Sequence, residues 1–135
     1  MPLTLNTLRG DRPMATLEKG SFNSPDETRP FQAHGRAEVV TLGDFSIGKG
    51  IFEPGWRWSN DVKPIAGTDS CQVGHTGVFI EGQMTVRADD GTEVSYGPGD
   101  AFVIAPGHDA WVEGDETCII FDTGYGTGSY AKPAE

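Results

Sequence analysis

No apolar run in this chain approaches the roughly 18 residues that a membrane-spanning helix needs. The opening stretch "MPLTLNTLRGDRPM" has no basic segment followed by an apolar one, the pattern of a secretory leader. The chain is therefore expected to be cytoplasmic. Basic residues are scarce: 10 Lys and Arg stand against 20 Asp and Glu, giving a formal net charge of −10. Such a surface repels phosphate backbones and anionic lipid headgroups, so neither nucleic acid nor membrane is expected as a partner. Cysteine is scarce too, with only Cys71 and Cys118, and in a reducing compartment both are expected as thiols. Gly-rich phosphate loops, a nucleophile elbow, paired CxxC motifs and the helical pair of zinc-binding histidines are all missing. Their absence argues against nucleotide chemistry and serine hydrolysis. A metal is not required for folding, because 135 residues can bury about two thirds of the unfolded surface in one domain.

What is present is a succession of short strands. Residues 1–36 scatter Gly, Pro, Asn and Asp through "RGDRP", "KGSFNSPDETRPF" and "AHGR". They are expected to form an irregular arm that wraps the domain or pairs with a neighbour. From Ala37 the chain changes to apolar or alternating runs, "AEVVTL", "FSIGKGIF", "CQVGHTGVFI", "QMTVRA", "TEVSY", "AFVIA", "AWVE" and "TCIIFD", separated by turn residues. That rhythm predicts an all-β sandwich or barrel over residues 37–125, followed by a tail over 126–135. Asp90-Gly91, set between alternating segments, predicts a tight hairpin. Met84 and Val86 would share one face with Val94 and Tyr96 opposite, leaving the other face wet.

The order "GQMTVRADDGTEVSYGPGDAFVIAPGHDAWVEGDE" resembles the conserved-barrel cupins, in which a hairpin, a Pro-Gly-Asp corner and a Pro-Gly corner follow one another. The resemblance spans about residues 45–123 and implies a single jelly-roll double-stranded β-barrel. It also implies a site. A metal-binding cupin takes two histidines and a glutamate from its first motif and a further histidine from its second. Registered on Gly82, the first motif puts Asp69 and Cys71 at the histidine positions and His75 at the glutamate position. Registered on Gly99 and Gly107, the second puts Ala110 at the last histidine position.

Asp69, Cys71 and His75 can all donate to a divalent transition metal such as Zn, Fe, Mn or Ni. Along a straight strand, however, residues 71 and 75 lie about 13 Å apart. A shared ion needs the chain to turn between them, and Gly74 is a candidate for the bend. Without a metal, Cys71 is a small buried residue and His75 a pocket histidine able to act as general acid or base. Trp56 and Trp58, two apart after a Pro-Gly corner, are expected to share a face of an extended segment, and Trp58, Phe102 and Ile104 to line the pocket with Cys71 and His75. His108 is a further candidate, although Pro-Gly corners tend to turn polar side chains to solvent. Three readings stand: a metal-dependent enzyme acting on a small polar or carboxylate metabolite, a metal-free ligand-binding or sensing barrel, and a structural dimerisation module. A homodimer is expected, because the arm cannot bury itself and jelly-roll edges need cover.

Overall fold

The computed structural model describes residues 17–123, so the first part of the expected arm and the expected tail lie outside the described residues. Among the described residues nine strands form in chain order: β1 Glu27–Pro30, β2 Gly35–Leu42, β3 Phe45–Phe52, β4 His75–Glu81, β5 Gln83–Ala88, β6 Glu93–Tyr96, β7 Ala101–Ile104, β8 His108–Glu113 and β9 Cys118–Asp122. Each run read from the sequence becomes one of β2 to β9. No helix among the described residues is long and apolar enough to cross a membrane.

The strands make two antiparallel sheets, a larger one in the order β1-β2-β3-β9-β4-β7 and a smaller one in the order β6-β5-β8. Alternation along the strands turns Ala37, Phe52, Phe79, Phe102, Cys118 and Ile120 of the large sheet inward. They meet Met84, Val86, Ala110 and Val112 of the small sheet in one core. This is the jelly-roll arrangement, but hydrogen bonding does not run continuously round it. Between the sheets, isolated bridges join Arg57 to Trp111 and Cys71 to His108.

Three features differ from the sequence expectation. Residues 27–30 of the arm are a strand, β1, in register with β2 from Glu27↔Val39 to Pro30↔Arg36. Pro30 ends it, as befits an edge strand. Its buried Arg29 and the following Phe31 join the interior, so the sheet begins well before residue 37. The stretch after Trp56 is not extended: α1 (Trp58–Asp61) and α2 (Lys63–Ala66) occupy it. Pro64 in the first turn of α2 and Gly67 at its end, with φ 77°, are the local signals for that turn of helix. In the hairpin, Gly91 takes φ 93° as required. Val94, however, is 46% exposed, because β6 is an edge strand with no neighbour over it.

One glycine controls how closely β4 and β9 approach. A Cβ on Gly77 would fall 1.9 Å from the Phe121 carbonyl oxygen and 3.0 Å from the Phe102 ring. Gly77 pairs with Asp122 across these strands, which brings Asp122 diagonally opposite His75. Gly77→Ala is therefore expected to cost about 3 kcal/mol or more in urea unfolding. Gly67→Ala meets no atom within 4 Å and should cost only the about 1–2 kcal/mol of its left-handed backbone. A Gly77→Ala protein as stable as wild type would contradict this strand spacing.

Candidate metal centre

His75 opens β4 and is buried. Its Nδ1 hydrogen-bonds the carboxylate of Asp122, the last residue of β9, which is itself buried. With Nδ1 engaged, Nε2 is the nitrogen left to act, and it lies 3.8 Å from Cys71 Sγ. Cys71 and His75 are thus neighbours rather than about 13 Å apart, because residues 72–74 leave strand geometry. Gly74 does not take a positive φ, so the bend does not call on the left-handed backbone that only glycine readily adopts.

His108 completes the group. Cys71 N donates to His108 O at 2.8 Å, and this bridge draws the start of β8 into the interior. The positive φ of Gly107, 93°, turns the corner just before it. His108, named as a pocket candidate, is consequently 4% exposed, although Pro-Gly corners tend to turn polar side chains to solvent. Its Nδ1 bonds the Ala105 carbonyl at 2.9 Å, again leaving Nε2. The two imidazoles meet edge to face, with ring centroids 5.3 Å apart.

One ligand atom each from Cys71, His75 and His108 can be chosen so that all lie within 4.8 Å of one another. Around tetrahedral zinc, neighbouring N and S donors sit about 3.3–3.6 Å apart, given metal–ligand bonds of about 2.0–2.3 Å. Gathering these three around an ion takes about 1 Å of side-chain movement. Each histidine is also oriented through Nδ1 by an oxygen acceptor, the arrangement that metal-ligating histidines usually have. The donor set fits a metal.

The remaining candidates are placed as follows. Asp69 is not brought to the site: its side chain is fully exposed, 3.9 Å from Lys63 Nζ, because it lies in the turn that follows α2. Ala110 is buried one inward position beyond His108, so the second-motif donor comes two residues earlier than the register implied. Trp58, Phe102, Ile104, His75 and His108 line a cavity of about 50 Å³ with an otherwise largely apolar wall. Cys71 touches the centre through His75 rather than lining that cavity. Asp122 and Arg29 also line it and were missed by sequence reasoning. The signal for Asp122 was parity, since it alternates with the inward Cys118 and Ile120. For Arg29 the signal was hidden by reading the arm as irregular.

Burial decides the charge states. It pushes the Cys71 thiol up to about 11, with the Asp122 charge adding to the effect, so without a metal Cys71 is a neutral thiol. Burial, and then the charge of nearby His75, lowers His108 to about 4, which keeps its Nε2 lone pair available at neutral pH. A thiol, an imidazole and a carboxylate therefore stand in line as Cys71, His75 and Asp122. The arrangement can ligate a cation or pass a proton, but the thiol is not activated on its own.

A family model described as EutQ-like cupin domain matches residues 53–121, half of the chain, and the protein belongs to that family. No curated protein matches the sequence. Among solved structures, a protein of unknown function from Rhizobium leguminosarum is similar at 20% identity, with a TM-score of 0.54, covering 80% of this chain and 95% of its own. An RmlC-like cupin from Shewanella frigidimarina is similar at 17% identity and TM-score 0.53, with 81% and 94% covered. A Cupin 2 conserved barrel domain protein from Salinispora arenicola is similar at 15% identity and TM-score 0.53, with 80% and 87% covered. These likenesses show the cupin fold.

The depressed His108 value has a consequence for stability. The unfolded chain takes up a proton as pH falls through 6.5, whereas the folded protein resists until about 4. Stability is thus fully present above about pH 6.5 and lost between there and about pH 4, by about 3 kcal/mol. His108→Asn keeps a donor for the Ala105 carbonyl and removes this dependence. Urea unfolding of chelator-treated proteins from pH 4 to 8 should show a flatter acid limb in the variant; parallel curves would contradict the burial of a neutral His108.

Proposed function

We propose that this cupin holds a divalent transition metal through Cys71, His75 and His108 and binds a small polar molecule in the adjoining cavity. The observation that carries the proposal is the convergence of three buried donors, with both imidazoles oriented through Nδ1. Mixed sulfur and nitrogen donation favours zinc among the candidates, with nickel and iron next and oxygen-seeking manganese last. Such an ion supplies Lewis acidity to an oxygen atom of the bound molecule or to water.

The chain's own groups have definite tasks in this reading. Asp122 fixes the ring of His75 and its coordinating nitrogen. The Ala105 carbonyl does the same for His108. Phe79, Met84, Phe102 and Ile104 keep the cavity wall apolar, which strengthens every polar interaction inside it. A metal-free binding barrel is the second reading, favoured by the protonated Cys71 thiol. In it His75, held by Asp122, is the acid–base group that meets the ligand.

Metal analysis of protein purified without chelator separates the two. The proposal expects close to one equivalent of metal in wild type and in Asp69→Ala, with loss in His75→Ala and His108→Ala. Asp122→Asn should retain the fold and lower metal affinity about 10- to 100-fold. Less than about a tenth of an equivalent in wild type, with none taken up on addition of zinc, would leave the metal-free reading.

A further inference from the structure

The two sheets present different outer faces. On the small sheet, Thr85, Arg87, Ser95, Asp109 and Glu113 alternate with the inward residues of β5, β6 and β8, the pattern of a sheet with one wet side. On the large sheet that alternation fails. Cys118, Ile120 and Asp122 of β9 are the buried, inward set, yet Ile119 and Phe121 between them are apolar as well.

Strand register joins such outward residues into one belt. Ile51 of β3 pairs with Ile119, Phe121 with Val78, Val78 with Ala101 and Thr76 with Val103, while Ile80 stands in the β4 bulge beside Ile119. Val103 is 72% and Ile80 42% exposed, and Ile51, Val78, Ile119 and Phe121 are half-buried. A contiguous apolar patch open to water marks a contact surface, whereas apolar residues exposed singly do not. The described part of the arm covers one border of it, where Phe22 packs on Phe121 with ring centroids 5.4 Å apart.

Charge selects the occupant. None of the belt residues is ionisable, in a chain that carries 20 Asp and Glu. Acidic residues begin at the rim, with exposed Glu81 after Ile80 and exposed Asp100 before Ala101. Two copies, each with a net charge of −10, repel wherever their acidic surfaces meet, and over this belt they approach without opposing carboxylates. A basic partner gains nothing from an uncharged belt, because the complementary charge lies elsewhere on the surface. A second copy also needs no separate complementary surface, since a two-fold axis sets the same patch against itself.

We propose that the outer face of β9, β4 and β7, with Ile51 of β3, is the contact between two copies of this chain, packed sheet on sheet about a two-fold axis. Side chains from two such faces interdigitate as those of the two sheets already do inside the molecule. This surface differs from the arm and the sheet edges on which the sequence reading based a dimer. It spans about 15–20 Å each way, less than a standard interface, so the dimer forms no more tightly than at micromolar concentration. The inference is independent of the metal and of any molecule in the cavity.

Sedimentation equilibrium of the full chain from about 1 to 300 µM, in about 20 and 300 mM NaCl, tests it. A monomer–dimer equilibrium is expected, tighter at the higher salt, because screening removes the repulsion between copies and leaves the apolar contact. Val103→Asp and Ile80→Asp should each weaken it at least about tenfold. Val103 is exposed on an edge strand, so that variant should keep the urea unfolding curve of the wild type. Val94→Asp puts the same charge on the exposed edge of the other sheet and should leave the dimer in place. A monomer at every concentration and salt would overturn the proposal and leave the face to a different protein or to the chain's own residues outside 17–123. A dimer unaffected by both Val103→Asp and Ile80→Asp would overturn it too, as would one that dissociates when salt is raised.

Discussion

An imidazole placed in an apolar interior must find partners for both ring nitrogens, and in this protein the carboxylate of Asp122 takes Nδ1 of His75. That bond fixes the ring, selects Nε2 as the working atom, and justifies the burial of Asp122 itself. It depends on the close approach of β4 and β9, which the bare Gly77 backbone allows. In the proposed function, metal ligation and proton transfer at this site would both begin from that oriented nitrogen.

The rest of the centre is held by backbone pairing between the sheets. Cys71 and His108 share an isolated bridge, so their side chains are neighbours by construction rather than by side-chain choice. It is one of two isolated bridges that join the connection between β3 and β4 to β8, and the centre sits beside it. The apolar wall between the sheets then makes each polar group costly to leave unmatched. Arg29, Lys49, Asp122 and two imidazoles are the polar exceptions in it, and of these the two imidazoles and Asp122 carry the functional reading.

Much of the scaffold was legible because turns obey local rules. Asp90-Gly91, Pro98-Gly99 and Gly107 each mark a corner with a glycine at positive φ, and the strands between them follow from alternation. Asp100 closes its own corner by accepting from Gly97 N at 2.8 Å. The site was half legible. Family register found Cys71 and His75 but also nominated the exposed Asp69, because counting along a motif assumes a strand where the chain instead has a turn. His108 stood as a further pocket candidate but not as a ligand, since a corner residue is ordinarily wet, and the non-local bridge to Cys71 draws it in. Arg29 was obscured for a related reason: a four-residue element such as β1 is stabilised by tertiary packing and leaves a weak pattern.

The central claim is that Cys71, His75 and His108 share one ion. X-ray absorption at the zinc edge of the zinc-loaded protein tests it most directly. The account predicts one sulfur at about 2.3 Å with two imidazole nitrogens at about 2.0–2.1 Å, and loss of the sulfur shell in Cys71→Ser. A first shell of oxygen and nitrogen alone in the wild-type protein would contradict it.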